Sequence, residues 1–117
     1  MPLHEIPEPV LAALDGLRAL GGDDLVKQMV TVFVEYSAGR IRALQGAADT
    51  GDLTGVAEAA HALKGSSRQL GLNAMADACL AAEQAAKHGD LAAVQTHAAA
   101  VHETYTTAAE WLKAATA

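Results

Sequence analysis

The stretch His61-Ala62-Leu63-Lys64-Gly65-Ser66-Ser67-Arg68-Gln69-Leu70-Gly71 has two unlike faces when it is read as an α-helix. At about 100° per residue, four residues fall within roughly 60° of His61: Ala57, Lys64, Gly65 and Arg68. The opposite side carries a core-facing apolar stripe, made of Val56, Ala59, Leu63 and Leu70. The imidazole of His61 therefore has small residues, Ala57 and Gly65, and cationic residues, Lys64 and Arg68, on the same helix face. This arrangement suits a group that receives a dianionic phosphoryl group.

Gly65 lies one turn from His61, where any side chain would crowd the ring. A glycine inside an exposed helix costs about 1 kcal/mol relative to alanine, so its presence needs a reason. Two reasons are open at this point. Either something bulky approaches the imidazole closely, or a second helix packs here and requires a small residue.

The segment from Ala60 to Ser67, closed by Gly71, resembles the signature of the histidine-containing phosphotransfer (HPt) domain. Members of that family carry a phosphoryl group between response-regulator receiver domains. The resemblance extends through Cys79, Glu83 and Gly89-Asp90 to most of the helical layout. It implies a helical phosphotransfer carrier.

The resemblance also implies a role for each residue around the histidine. His61 would be the phosphoacceptor at Nε2, Lys64 would neutralise the phosphoryl oxygens, and Gly65 would leave room for the receiver. The expected docking contacts on the same helix are Ala57, Arg68 and Gln69. This chain would bind no cofactor, and Mg²⁺ is expected on the receiver partner. A hybrid histidine kinase is a further candidate partner.

Composition indicates one domain over residues 1–117, with an irregular lead-in at residues 1–7 that contains two prolines. Hydrophobic residues make up 51% of the chain, yet only four are aromatic and alanine supplies much of the rest, which favours close-packed helices. The net charge of −6 argues against nucleic-acid binding, whose footprint is basic.

Other global features point to an unanchored protein. No run of about 18 apolar residues is present, and no charged-then-apolar leader begins the chain. The single cysteine, Cys79, excludes an intrachain disulfide. We therefore expect a free-standing cytoplasmic protein without membrane contact, and the family resemblance points to a monomer.

The helices are predicted from the spacing of apolar residues and from the residue types that begin and end each helix. Pro9 opens a short helix over about residues 8–20, which Gly21-Gly22 ends. Asp23 or Asp24 is expected to cap a long helix that runs to about residue 49. Its stripe has a spacing of three or four residues: Val26, Val30, Phe33, Ser37, Ile41, Leu44 and Ala48.

Two similar segments, Gly51-Asp52-Leu53 and Gly89-Asp90-Leu91, each combine a helix stop with an aspartate cap. They are predicted to open the helix of His61 and the last helix. Asn73 is expected to cap the helix between them. The last helix has a regular seam: Leu91, Val94, Ala98, Val101, Tyr105, Ala108 and Leu112. The fold class is therefore all-α, an antiparallel four-helix bundle with a short additional N-terminal helix.

Glu83 lies close to the centre of an apolar stripe, where a carboxylate is costly without a partner. If its helix folds back against the helix of His61 at Gly71, the two residues stand at nearly the same height. Glu83 would then accept a hydrogen bond from Nδ1–H of His61 and free Nε2 as the nucleophile. Two alternatives are that Glu83 pairs with Lys64 and that it reaches solvent.

Several other functions lack their motifs. No phosphate-binding Gly-Lys-Ser/Thr loop is present, so the chain encodes no visible ATP-dependent kinase. His102-Glu103 lacks the proline that follows the phosphoacceptor of dimerising kinases, and the histidines and Cys79 form no cluster of metal ligands. The remaining alternative to a phosphotransfer carrier is a docking or scaffold bundle that is never phosphorylated.

Overall fold

The computed structural model describes residues 5–117, which form four α-helices and no strand. The helices are α1 (Glu8–Thr50), α2 (Leu53–Gln69), α3 (Asn73–Lys87) and α4 (Leu91–Ala115). Residues 5–7 of the expected lead-in precede α1, and residues 1–4 lie outside the described part. The helices form an antiparallel bundle in which each packs against two neighbours, in the cyclic order α1, α2, α3, α4. The predicted fold class is confirmed.

A break at Gly21 and Gly22 divides α1 into the predicted short and long helices. The φ angle of Gly22 is 72°, in the left-handed region that favours glycine, so the helical hydrogen bonds cannot continue through it. The expected cap at the start of the long segment is absent. Asp23 instead accepts a hydrogen bond from Nε of Arg18 across the break, at 2.7 Å.

Both predicted glycine–aspartate boundaries are confirmed. Asp52 accepts from the backbone N–H of Gly55 at 3.0 Å, and Asp90 accepts from that of Ala93 at 3.1 Å. The expected cap at Asn73 is wrong, because Leu72 occupies the capping position and α3 begins at Asn73 itself. Backbone hydrogen bonds close this turn instead, including one from Leu72 N–H to the carbonyl of Ser67 at 2.9 Å.

The predicted stripes form the core. All seven residues named for the long segment of α1 are buried, as is the stripe named for the helix of His61. The apolar stripe that contains Glu83 is buried too, and consists of Leu72, Met75, Ala76, Cys79 and Ala86. The seam of α4 is buried except at two residues, because Leu91 is 47% exposed and Tyr105 is only partly buried. Tyr105 reaches across to α1 and donates its hydroxyl to the carbonyl of Val34 at 2.9 Å. Among the described helices, none is long and apolar enough to span a membrane.

The turn between α2 and α3 is held against the start of α1. Gly71 has a φ of 70°, and a Cβ atom on it would collide with the backbone of Pro9. The short segment of α1 therefore packs directly on this turn. Because the turn is tight, α2 and α3 run side by side, and His61 and Glu83 are brought to the same level of the bundle.

Candidate functional site

His61 lies on the outer face of α2, and its side chain is 69% exposed. Nδ1 of the ring is 2.9 Å from Oε2 of Glu83, so the Nδ1–H tautomer donates a hydrogen bond to that oxygen. In this tautomer Nε2 carries the lone pair. The predicted contact between His61 and Glu83 is therefore present.

Glu83 is the buried centre of the site, with a side chain only 6% exposed. Its other oxygen, Oε1, accepts a hydrogen bond from Nζ of Lys64 at 2.7 Å, so the pairing with Lys64 coexists with the histidine contact. The hydrogen bond from Lys64 lowers the pKa of Glu83, and the hydrogen bond from His61 acts in the same direction against the raising effect of burial. The carboxylate is thus ionised beside the ring.

The surroundings of Gly65 distinguish between the two explanations for a glycine at this position. Apart from the backbone of α2 itself, a Cβ atom placed on it would meet no described atom within 4 Å, so none of the other described helices packs there. The helix-packing explanation is therefore wrong within the described part of the chain. The space beside His61 is open to an approaching molecule.

Comparison with known proteins agrees with this geometry. A family model described as Hpt domain matches residues 28–111, which is most of the chain. The chain belongs to the Hpt domain family. Among solved structures it is similar to histidine-containing phosphotransfer protein B (HptB) from Pseudomonas aeruginosa PAO1, with a TM-score of 0.83 and 24% identity over 90% of each chain. A search of curated proteins finds no match. As an Hpt domain, the protein is a histidine phosphotransfer carrier of a phosphorelay.

The other predicted residues of this Hpt domain lie around the histidine on α2. Arg68 and Gln69 are exposed, and Ala57 is half-buried. Ser66 and Ser67 bond back to carbonyls of the preceding turn, at 3.2 and 2.7 Å, which is the role expected of serines inside a helix. Their hydroxyls are therefore used within α2.

Sequence reasoning missed Lys87 of the Hpt domain. Its Nζ is 3.5 Å from Oε2 of Glu83, the oxygen that also contacts His61, and its side chain is 65% exposed. The spacing of four residues from Glu83 on one helix face could have identified it.

Sequence reasoning also missed an apolar groove between α1 and α2. The groove is lined by Leu17, Met29, Val32, Phe33, Tyr36, Ser66, Gln69 and Leu70. Val32 and Tyr36 are 55% and 40% exposed, and the guanidinium of Arg40 stacks over the ring of Tyr36 at 5.2 Å. The signal in the sequence was the presence of large apolar residues on α1 outside its core stripe.

The remaining reactive groups do not join the site. His102 is exposed on α4, and His88 bonds to the carbonyl of Gln84 at 2.7 Å. Burial raises the pKa of Cys79 to about 12, which keeps its thiol protonated. Within residues 5–117, no three histidine, cysteine or acidic side chains are grouped to hold a metal ion.

Proposed function

We propose that this Hpt domain accepts a phosphoryl group on Nε2 of His61 from the aspartyl phosphate of one receiver domain and passes it to a second receiver. The observation that carries the proposal is the exposed imidazole whose Nδ1 is bonded to the buried Glu83. An inert surface histidine needs no such partner. A nucleophile that must present one nitrogen to a large partner does.

During the transfer of the phosphoryl group, no group on this chain gains or loses a proton. The lone pair of Nε2 forms a bond to phosphorus as the bond to the receiver's aspartate oxygen breaks, and that electron pair leaves on the carboxylate. The proton stays on Nδ1, so the phosphorylated ring becomes cationic. The ionised carboxylate of Glu83, whose Oε2 is 2.9 Å from Nδ1, stabilises this positive charge. The reverse step loads the second receiver.

Lys64 serves this chemistry from a fixed position. Its ammonium group has three N–H donors, of which one is bonded to Glu83. We propose that another donor faces the phosphoryl oxygens in the complex. Mg²⁺ on the receiver would neutralise the remaining charge, since phosphoryl transfer depends on positioning and electrostatic stabilisation more than on covalent groups.

The receiver must cover the surface around His61 to bring its aspartate within reach. Gly65 leaves space for it, and Ala57, Arg68 and Gln69 would form the contacts on α2. The groove between α1 and α2 continues this surface, because Ser66 and Gln69 line it one to two turns beyond His61. We propose that apolar side chains of the receiver occupy the groove, whose exposed Val32 and Tyr36 are otherwise uncovered.

A panel of phosphorylated receiver domains tests the proposal. The wild-type protein should gain acid-labile, base-stable phosphate at the expense of the receiver, and His61→Gln should gain none. His102→Gln is the matched control, because it removes another exposed histidine and should leave the uptake unchanged. A protein that binds receivers but acquires no phosphate would instead be a scaffold.

A further inference from the structure

Glu83 has three cationic or hydrogen-bonding neighbours, and they are not equivalent. We propose that Lys87 is a mobile cation of the reaction, which leaves Glu83 and pairs with the phosphoryl group once that group reaches Nε2 of His61. Lys64 remains on Glu83 in both states. This inference rests on the proposed function and assigns a further residue that contacts the transferred group.

Lys64 is poorly placed to move. Its hydrogen bond to Oε1 of Glu83 is short, at 2.7 Å, and its side chain is only 15% exposed. If Lys64 left, a buried carboxylate would lose its strongest partner, and uncompensated buried charge is strongly unfavourable. The ammonium of Lys64 therefore belongs to the resting structure of the site.

Lys87 has the opposite properties. Its Nζ is 3.5 Å from Glu83, too long for a good hydrogen bond, and 65% of its side chain is exposed. Both Nζ of Lys87 and Nδ1 of His61 lie within 3.5 Å of the same oxygen, Oε2, so the ammonium and the imidazole share one carboxylate oxygen. A weak, solvated ion pair of this kind breaks at little cost.

Phosphorylation of His61 would change the charges around Lys87 in two ways. The ring becomes cationic with its proton on Nδ1, so Oε2 of Glu83 is drawn to the ring and its attraction for Lys87 falls. A phosphoryl dianion appears at the same time on the other nitrogen of the ring. Lys87 can reach it by rotating a flexible four-carbon chain that is already in solvent.

Phosphoramidate tests this step without a receiver, so that docking has no influence. The lone pair of Nε2 attacks phosphorus, the P–N bond of the donor breaks, and ammonia leaves. Lys87→Gln should slow the phosphorylation of His61 roughly two- to fivefold, the range expected for one exposed charge pair. Lys87→Arg should keep the wild-type rate. Lys113→Gln is the matched control, since Lys113 also lies in the last turn of a helix, α4.

The ¹⁵N spectrum of the His61 ring separates a direct from an indirect role. A rate loss in Lys87→Gln with an unchanged Nδ1–H tautomer supports a contact between Lys87 and the phosphoryl group. A wild-type rate in Lys87→Gln, or a rate loss accompanied by a changed tautomer, overturns it. Whichever result Lys87→Gln gives, phosphohistidine still forms on His61. Wild-type protein that remains unphosphorylated with every donor would instead refute the proposed function itself.

Discussion

Glu83 is a buried carboxylate that serves two partners at once, His61 through Oε2 and Lys64 through Oε1. Burial of a carboxylate without partners would raise its pKa, yet the pKa of Glu83 is lowered because the hydrogen bond from Lys64 outweighs burial. The site therefore keeps a full negative charge next to the histidine. That charge orients the ring and, in the proposed function, would favour the cationic ring that carries the phosphoryl group.

The lowered pKa of Glu83 predicts an acid-dependent loss of stability. The unfolded chain takes up a proton near the ordinary value of 4.5, whereas the folded chain does so only at lower pH. The contribution of Glu83 is thus complete above about pH 4.5 and is lost as the pH falls through the folded-state pKa. Chemical denaturation between pH 3 and 7 should show a shallower acid loss for Glu83→Gln than for wild type. An equal loss in both would contradict the assignment, and Asp77→Asn, which removes an exposed carboxylate from α3, serves as the control.

Gly65 predicts a gain in stability together with a loss of function. Gly65→Ala should raise the free energy of unfolding by about 0.5–1 kcal/mol, because the helix gains a residue of higher propensity and the new methyl group meets nothing. Phosphoryl uptake from a receiver should fall by roughly tenfold, since the methyl group occupies space beside the imidazole. Gly46→Ala, at another helical glycine with open space around it, should raise the free energy of unfolding without lowering phosphoryl uptake. Equal activity of the two variants would show that Gly65 is not needed for access.

At the scale of the helices, the turn between α2 and α3 aligns the site. Gly71 combines a left-handed φ with a close approach to the backbone of Pro9. Any side chain there would have to push the short segment of α1 away from the turn. The relative height of His61 and Glu83 depends on this turn, because it determines how α2 and α3 are paired.

Gly71→Ala should therefore lower the free energy of unfolding by roughly 2 kcal/mol or more, through backbone strain and collision with Pro9. Urea denaturation measures the loss. Gly16→Ala, at an exposed helical position with open space around it, should be neutral or slightly stabilising. If both variants had the same stability, the turn would not be constrained in the way described.

Ser37 in α1 offers a second prediction at this scale. Its hydroxyl is fully buried and has no hydrogen-bond partner among the described residues, although it lies in the middle of the apolar stripe. A buried polar group without a partner is unfavourable, so Ser37→Ala should stabilise the bundle by about 1 kcal/mol. Thermal unfolding should show a higher midpoint. A clear decrease would mean that the hydroxyl has a partner such as an internal water.

At the scale of the whole molecule, one side of an acidic rod carries the features needed for transfer. The net charge is −6, and the described bundle measures 43 × 23 × 17 Å. Lys64 and Lys87 nevertheless both pair with Glu83, the partner of His61, and the apolar groove lies between α1 and the C-terminal part of α2. A partner that approaches this side meets positive charge at the site and apolar surface next to it.

Val32→Glu tests the groove as part of the docking surface. A carboxylate in the apolar groove should weaken phosphoryl transfer from a receiver by roughly tenfold, which corresponds to about 1.4 kcal/mol of binding free energy. Uptake from phosphoramidate should be unchanged, because that donor needs no docking. Leu91→Glu places the same charge at another exposed apolar residue, away from the groove, and should alter neither rate. Transfer at the wild-type rate in Val32→Glu would exclude the groove from the interface.

The sequence by itself determined the helices, their core stripes and the pairing of His61 with Glu83. Apolar spacing in α1 and α3 depends only on helical periodicity, and the aspartate caps at Asp52 and Asp90 are local hydrogen bonds, so both could be predicted. The contact between His61 and Glu83 could also be predicted, because a single tight turn joins their helices. Local rules failed at Asn73, where backbone bonds of the turn replaced the side-chain cap.

Only the tertiary structure decided which partners share Glu83 and what surrounds α2. The bond to Lys64 and the open space at Gly65 depend on distances between helices, which no spacing within one helix contains. The groove arises in the same way, since Val32 and Tyr36 border α2 only after α1 packs beside it. Periodicity states which face of a helix is apolar, whereas packing of the bundle decides which apolar residues remain uncovered for a partner.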